Sequence, residues 1–206
     1  MTIIKTVAEI EAIYGKPKAP SLVKVADHIT PEYRKWITSS SFCALATVGP
    51  EGVDASPRGD EGEVVFELDE KTLAMPDRKG NNRMDSLRNI VRDGRVALML
   101  LTKGSNTVTR VNGRAEVSID PKLIERFEMK GHAPRSVIVI HIEEIYFQCA
   151  RAVMRAGLWD NEKWPDISDL PTAGDILKAQ TGDFDGETYD KEWPEKAKAT
   201  MFRAVY

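Results

Sequence analysis

Strand-like segments separated by short turns fill most of the chain between residues 42 and 150. Their apolar residues alternate or run continuously, and turn signals such as Gly49-Pro50-Glu51-Gly52 lie between them. A parallel doubly wound fold needs regular strand–helix alternation, which this chain lacks. The pattern predicts a mainly β fold, an antiparallel barrel that is closed or partly open with peripheral α-helices. The segments are residues 42–48, 53–59, 63–68, 72–75, 95–102, 107–119 and 136–150. Gly113, inside the segment 107–119, suggests a bulge or kink there.

Helical patterns flank and interrupt these strands. Beyond residue 150 the strand pattern is lost, with weak helical segments near 172–180 and 194–203. A chain of 206 residues is typical of one domain. We therefore expect a single domain over residues 1–206, with its core at about 35–150 and a C-terminal extension at 151–206. The stronger helices are predicted at residues 5–15, 31–39 and 121–130 and from Asp85 to about Arg92.

The composition narrows the classes of partner. Hydrophobic residues make up 42% and charged residues 30%, which is typical of a globular protein. A net charge of −3 argues against bulk nucleic-acid binding but permits a local basic pocket. Acidic residues replace the apolar run of a signal peptide near the N-terminus, and no apolar run reaches transmembrane length. We expect a cytoplasmic protein that binds neither nucleic acid nor membranes.

The sequence contains none of the familiar patterns of a metal site or an activated nucleophile. Cys43 and Cys149 form no CxxC pair, each lies in an apolar run, and both thiols are expected to be buried. The three histidines form no HExxH-type pair, so no metal site is predicted. GxSxG, P-loop and GxGxxG motifs are absent. The catalytic residues are therefore unknown, and any redox chemistry would come from a cofactor.

A basic strand-to-helix turn is the strongest candidate for a binding site. The segment LAMPDRKGNNRMDSLRNI, residues 73–90, predicts a short strand, a turn with three cations and two amides, and an amphipathic helix. Amide N–H groups and the dipole at a helix start favour an anion, and Arg and Lys add charge-assisted hydrogen bonds. The alternative interpretation is a solvated charged turn that only caps the helix.

Arginines on strands form a second group of candidates. Arg58 interrupts a strand-like segment, and Arg110 lies between valines in mid-strand. An arginine among apolar strand residues is costly unless it meets an anion or extends to solvent. Together with Arg83, these residues are three cations that a barrel could bring to one cleft. The alternative is that each one is an ordinary surface residue.

These segments resemble the pyridoxamine 5′-phosphate oxidase-like flavin family, which has a split β-barrel. The similar runs are FCALATVGPEG, VDASPRGD, TLAMPDRKGNNRMDSL, RVALMLL and TVTRVNGRAEV. PDRKGNNRMDSLRNI, RVNGRAEV and CARAVMRAGLW further resemble one subgroup of FMN-dependent enzymes in that superfamily. The resemblance covers about residues 35–160. It implies a homodimer with FMN in clefts at the subunit interface, acting on a small-molecule substrate.

The resemblance also implies residue roles for the phosphate. Asn82-Arg83 lies where the family has an Arg-Lys pair, so Arg83 would hold the phosphate. Asn82 carries no charge, a departure for which Arg58, Arg78 or Lys79 would compensate. Ser86 would add a hydroxyl.

For the rest of the flavin, Pro76-Asp77 corresponds to residues along the ribityl chain and ring. Ser56-Pro57-Arg58 corresponds to the strand whose backbone passes the ring. Thr107 and Thr109, beside Arg110, lie on the strand that offers the flavin a polar side chain.

Arg155 and Trp159 resemble late family residues that complete the partner's side of the cleft. The extension at 151–206 would then contribute to the cleft or to the dimer interface.

Three alternatives remain open at this point. A relative of this fold could use deazaflavin F420 or haem in place of FMN. The chain could be a flavin-binding sensor or carrier without turnover. The substrate-phosphate residues of true pyridoxamine phosphate oxidases have no clear counterpart, so oxidation of vitamin B6 is not expected.

Overall fold

The computed structural model describes residues 1–201, whose strands form a single antiparallel sheet in the order β2-β1-β5-β6-β7-β4-β3. Together with the helices around it, this sheet confirms the mainly β fold class expected from the sequence. The strands are β1 (Phe42–Gly49), β2 (Gly52–Gly59), β3 (Phe66–Asp69), β4 (Thr72–Pro76), β5 (Arg95–Leu101), β6 (Val108–Ser118) and β7 (Val137–Gln148).

Alternation along the strands gives the sheet an inner and an outer face. On β1, Cys43, Leu45 and Thr47 are buried, whereas Phe42 and Ala46 are exposed. The inner residues belong to one large apolar core that is built from most of the strands. Helix α5 (Pro121–Arg126) covers the opposite face at the far end, where Phe66 and Phe127 meet with ring centroids 4.9 Å apart.

The sheet curls but is not closed by backbone pairing. Strands β2 and β3 are its edges, as expected for a split barrel. The opening is bridged by side chains that join β2 to the loop at 77–84 and to the helix after it. This bridged opening holds the basic turn identified from the sequence.

A bulge bends the long β6–β7 pair. The register shifts between Asn112 and Gly113, as the glycine in the sequence suggested. A Cβ atom on Gly113 would lie 2.0 Å from the carbonyl oxygen of His141, so this close approach requires glycine.

Several element boundaries differ from the sequence-based expectations. The predicted helix at 121–130 ends at Arg126, and the predicted strand at 63–68 begins only at Phe66. Helices α2 and α6 were not predicted, and α8 begins earlier than residue 194; residues 202–203 lie outside the described part. The helices are α1 (Val7–Tyr14), α2 (Ala19–Val23), α3 (Pro31–Thr38), α4 (Asp85–Arg92), α5 (Pro121–Arg126), α6 (Arg151–Ala156), α7 (Ala173–Thr181) and α8 (Gly186–Thr200), with a 3₁₀ turn at Asn161–Lys163.

The expectation that both thiols are buried was wrong for Cys149. Cys43 is fully buried on β1, whereas Cys149 is exposed just after β7. The apolar run that suggested burial ends with the strand, and α6 begins immediately afterwards.

The two ends of the chain pack little against the sheet. Large apolar side chains remain exposed on α1 and around the α7–α8 hairpin, among them Ile13 at 65% and Trp193 at 50%. Within the hairpin, Gly174 and Gly186 allow the two helices to touch. No helix within residues 1–201 is both long and apolar enough to cross a membrane.

Candidate functional site

The basic turn runs from the end of β4 to the start of α4. Asn82 and Met84 adopt left-handed backbone conformations, with φ angles of 60° and 59°. Met84 is the N-cap residue of α4, and within residues 1–201 no side-chain hydrogen bond caps the helix start. In this described part of the chain the first-turn N–H groups therefore have no side-chain acceptor, a condition that suits an anionic ligand.

Two ion pairs fasten this turn to β2, and we call them the β2 clamp. Arg58 Nη1 lies 2.7 Å from Asp77 Oδ1, and Arg78 Nε lies 2.8 Å from Asp60 Oδ2. The Arg78 and Asp60 side chains are only 12% and 3% exposed. Arg78 also donates from Nη1 to the Phe127 carbonyl at 2.6 Å. Both clamp arginines are thus already neutralised by carboxylates.

Beyond the clamp, α4 and the β1–β2 turn enclose a groove of about 360 Å³, the α4 groove. Three arginines and three acids line it. Arg83 bonds Asp85 at 2.7 Å, and Arg92 bonds Glu51 at 2.6 Å. Within residues 1–201 the Arg88 side chain has no hydrogen bond or ion pair. The lining residues are Glu51, Gly52, Val53, Asp54, Arg83, Asp85, Arg88, Asn89 and Arg92.

Ser86 is buried next to Asp54, a residue that lines the groove. It is 3% exposed, and its hydroxyl donates to Asp54 Oδ2 at 2.8 Å. Asp54, Ser56 and Arg58 share the face of β2 that looks toward the turn, because side chains alternate along a strand. Pro57 lies on the opposite, outer face, where it is exposed.

A row of opposed residues connects the clamp to β6. Arg58 pairs with Cys43, Cys43 with Leu100, and Leu100 with Thr109. Burial raises the pKa of the Cys43 thiol to about 12, although the nearby Arg58 acts in the opposite direction. Among the described residues 1–201, Arg58 Nε and Thr109 Oγ1 have no hydrogen-bond partner, although both atoms are buried. Unpartnered buried polar atoms are uncommon, and these two occur at predicted site residues.

Other predicted residues lie away from the groove and the clamp. Trp159 donates from Nε1 to the Ser105 carbonyl at 2.7 Å, and the Thr107 amide donates to Ser105 Oγ at 3.1 Å. Arg110 is on the outer face, with its guanidinium 5.2 Å from the Tyr146 ring centroid. Arg155 is exposed on α6.

Within one chain, the three arginines proposed for a common cleft occupy three places: the clamp (Arg58), the groove (Arg83) and the outer face (Arg110). Arg88 and Asp54 were missed in the sequence. Arg88 could have been identified from the sequence, because it lies in the first turns of the predicted helix beside the basic turn. Asp54 gave none, because its approach to Ser86 depends on the curl of the sheet.

The described residues fit a phosphate-bearing cofactor at the α4 groove. The fit rests on the uncapped helix start, the unpaired Arg88 and the exposed Arg83, whose side chain is 76% exposed. Within residues 1–201 no group of three or more metal-ligating side chains occurs.

The model of one protein family, described as pyridoxamine 5′-phosphate oxidase, matches residues 29–149, more than half of the chain. This segment begins just before α3 and ends just after β7, so it includes the whole sheet. A comparison with curated proteins gave no match.

The three solved structures compared below have TM-scores below 0.5, so the family assignment rests on the family model. A candidate pyridoxamine 5′-phosphate oxidase from Lactobacillus delbrueckii is 26% identical, with a TM-score of 0.48 over 59% of this chain and 95% of that one. HupZ from Group A Streptococcus is 21% identical, with a TM-score of 0.47 over 58% and 93%. An FMN-binding protein from Syntrophomonas wolfei is 14% identical, with a TM-score of 0.42 over 56% and 88%.

Proposed function

The chain belongs to the pyridoxamine 5′-phosphate oxidase family, and from this membership we propose that it binds FMN and acts as an FMN-dependent oxidoreductase on a small-molecule substrate. The observation that carries the proposal is the α4 groove. Arg83 and Arg88 line it beside a helix start that no side chain caps. A phosphate there would receive charge-assisted hydrogen bonds and the favourable field of the helix dipole.

The direction of β2 supports a position for the rest of the flavin. The strand leads from Asp54 in the groove to Arg58 in the clamp, four residues or about 13 Å further on. A phosphate in the groove would therefore direct the ribityl chain along β2 toward Asp77 and Arg58. The ring would approach the end of the sheet where Trp159 contacts the loop before β6.

In this proposal the protein binds the cofactor, orients it and excludes water from it. FMN would supply the redox chemistry by accepting a hydride from a substrate or a nicotinamide donor. Arg83, Arg88 and Ser86 would hold the phosphate. The clamp would fix the loop at 77–84 against β2, so that the ring and the phosphate are bound at a set separation. No side chain is nominated as a general acid or base.

The outer face of the sheet supports a homodimer. Phe42, Val53 and Met99 lie on this face of three neighbouring strands and are 43%, 85% and 44% exposed. Exposed apolar side chains grouped in this way are typical of a protein–protein interface. The cytoplasmic location remains a prediction from the sequence.

The first test is the absorbance spectrum of protein purified without added cofactor, followed by titration with FMN. Flavin bands, or saturable binding of added FMN, are the expected result. Deazaflavin and haem have different spectra, so the same measurement separates the alternative cofactors.

Arg83→Ala tests the location of the phosphate. Losing one or two charge-assisted hydrogen bonds, each worth about 1.5–3 kcal/mol, should weaken FMN binding by at least tenfold. Arg95→Ala is the matched control, because Arg95 is also an exposed arginine paired with an aspartate but lies outside the groove. Equal affinity of both variants for FMN would reject the phosphate site. Oxidase and nicotinamide-dependent reductase assays then distinguish an enzyme from a flavin carrier.

A further inference from the structure

Asp54 places a carboxylate inside the α4 groove. Its Oδ2 accepts the Ser86 hydroxyl at 2.8 Å, so this groove-lining carboxylate bonds a residue in the first turn of α4. Ser86 is almost fully buried, so water has little access to its hydroxyl as an alternative hydrogen-bond partner.

A serine hydroxyl has one proton to donate. In this structure Ser86 donates it to Asp54, so a phosphate oxygen can receive it only if Asp54 gives it up. The two acceptors also repel each other, because both are anionic and would share one groove.

The charges of the groove lead to the same conclusion. Its arginines are matched in number by its acids, and of these Asp85 and Glu51 are each bound to an arginine. Asp54 has no arginine partner within residues 1–201 and instead bonds the hydroxyl at the helix start. The Asp54 carboxylate is thus a negative charge of the protein itself at a site that is proposed to bind a phosphate.

We propose that Asp54 determines specificity by competing with the phosphate of the ligand for Ser86 and for the cations of the groove. The proposal rests on the proposed FMN function. Asp54 lowers the affinity for phosphate-bearing flavin and leaves phosphate-free flavin unaffected. It thereby sets how readily the cofactor exchanges.

Asp54→Asn tests this with a minimal change. The amide oxygen can still accept the Ser86 hydroxyl, while the negative charge is removed. Titrations followed by flavin fluorescence should show FMN binding about tenfold tighter than in the wild type and riboflavin binding unchanged. Inorganic phosphate should compete with FMN at a correspondingly lower concentration.

Glu51→Gln is the matched control, since it removes one negative charge from the same groove at a residue bound to Arg92. An equal gain in FMN affinity would show a general charge effect and overturn the role of Asp54. Asp54→Ala should act in the same direction as Asp54→Asn, which keeps the test valid if one variant folds poorly.

The two proposals fail in different ways. If the wild type and Asp54→Asn bind FMN with equal affinity, Asp54 has no such role and the FMN proposal stands. If neither protein binds FMN at any accessible concentration, both proposals are overturned.

Discussion

Arginine–aspartate pairs of nearly equal length lie near the two ends of β2 in very different surroundings. At the clamp, Arg78 and Asp60 are 2.8 Å apart with side chains 12% and 3% exposed. Beside the groove, Arg83 and Asp85 are 2.7 Å apart but 76% and 38% exposed. A buried charge depends on its partner, whereas an exposed one can exchange its partner for water or a ligand. The comparison therefore assigns a structural role to the clamp and a binding role to the groove.

The largest expected effect comes from breaking the buried pair. Asp60→Asn leaves the Arg78 guanidinium buried without its counter-ion, which should lower the free energy of unfolding by about 3–5 kcal/mol. Denaturant unfolding followed by tryptophan fluorescence measures the change. Asp85→Asn is the control at the other end of β2, with an expected loss below about 1 kcal/mol. Equal losses at both ends would remove the basis of the comparison.

The general fold could be predicted from the sequence because strand alternation and turn residues are local signals. Gly113 is an example, since a glycine within a strand pattern suggested the bulge that bends β6. The helix expected at 121–130 shows the limit of local signals. It stops at Arg126, because the next residue, Phe127, packs on Phe66 from a distant strand.

The candidate site was less predictable, because its partners come together only in three dimensions. The local run at 77–86 identified the basic turn. The sequence could not show that Arg78 forms an ion pair with Asp60, eighteen residues away, or that Ser86 donates a hydrogen bond to Asp54. Both contacts depend on the curl that brings β2 alongside the turn.

Double-mutant cycles sharpen the comparison without depending on a single substitution. The coupling energy between Arg58 and Asp77, whose side chains are 21% and 18% exposed, should be about 1–3 kcal/mol. The coupling between Arg83 and Asp85 should be about 0.2–1 kcal/mol, as for other exposed pairs. Cycles built from alanine variants and measured by denaturant unfolding provide both values. A larger coupling at Arg83–Asp85 would give the groove the structural role instead.

The thiol of Cys43 tests whether the clamp end of β2 is shielded from solvent. Burial raises the pKa of its thiol from 9.0 to about 12, despite the opposing effect of Arg58. The folded state therefore keeps the thiol protonated where the unfolded chain ionises it, and stability falls as the pH rises above about 9. Between pH 8 and pH 10 the loss should be about 1.4 kcal/mol.

Cys43→Ala removes this contribution, so its unfolding free energy should decline less over the same pH range. In the native wild type, a thiol reagent should modify only Cys149, and both thiols after denaturation. Rapid modification of Cys43 in the native protein would show that the clamp end is open to solvent.

The smallest effect is expected at the groove end, where Asp93 follows α4. The hydrogen bond from Arg95 lowers the pKa of the Asp93 carboxyl to about 2, although this carboxyl is near the surface. A lowered pKa stabilises the folded state above the ordinary value of 3.8, and this stabilisation is lost as the pH falls through about 2. Comparing the melting temperatures of the wild type and Asp93→Asn at pH 6 and pH 2.5 should show a small difference that shrinks on acidification and in high salt. A difference that persists in high salt at pH 6 would mean that this exposed ion pair is held as firmly as those of the clamp, contrary to the exchangeable character inferred for exposed pairs.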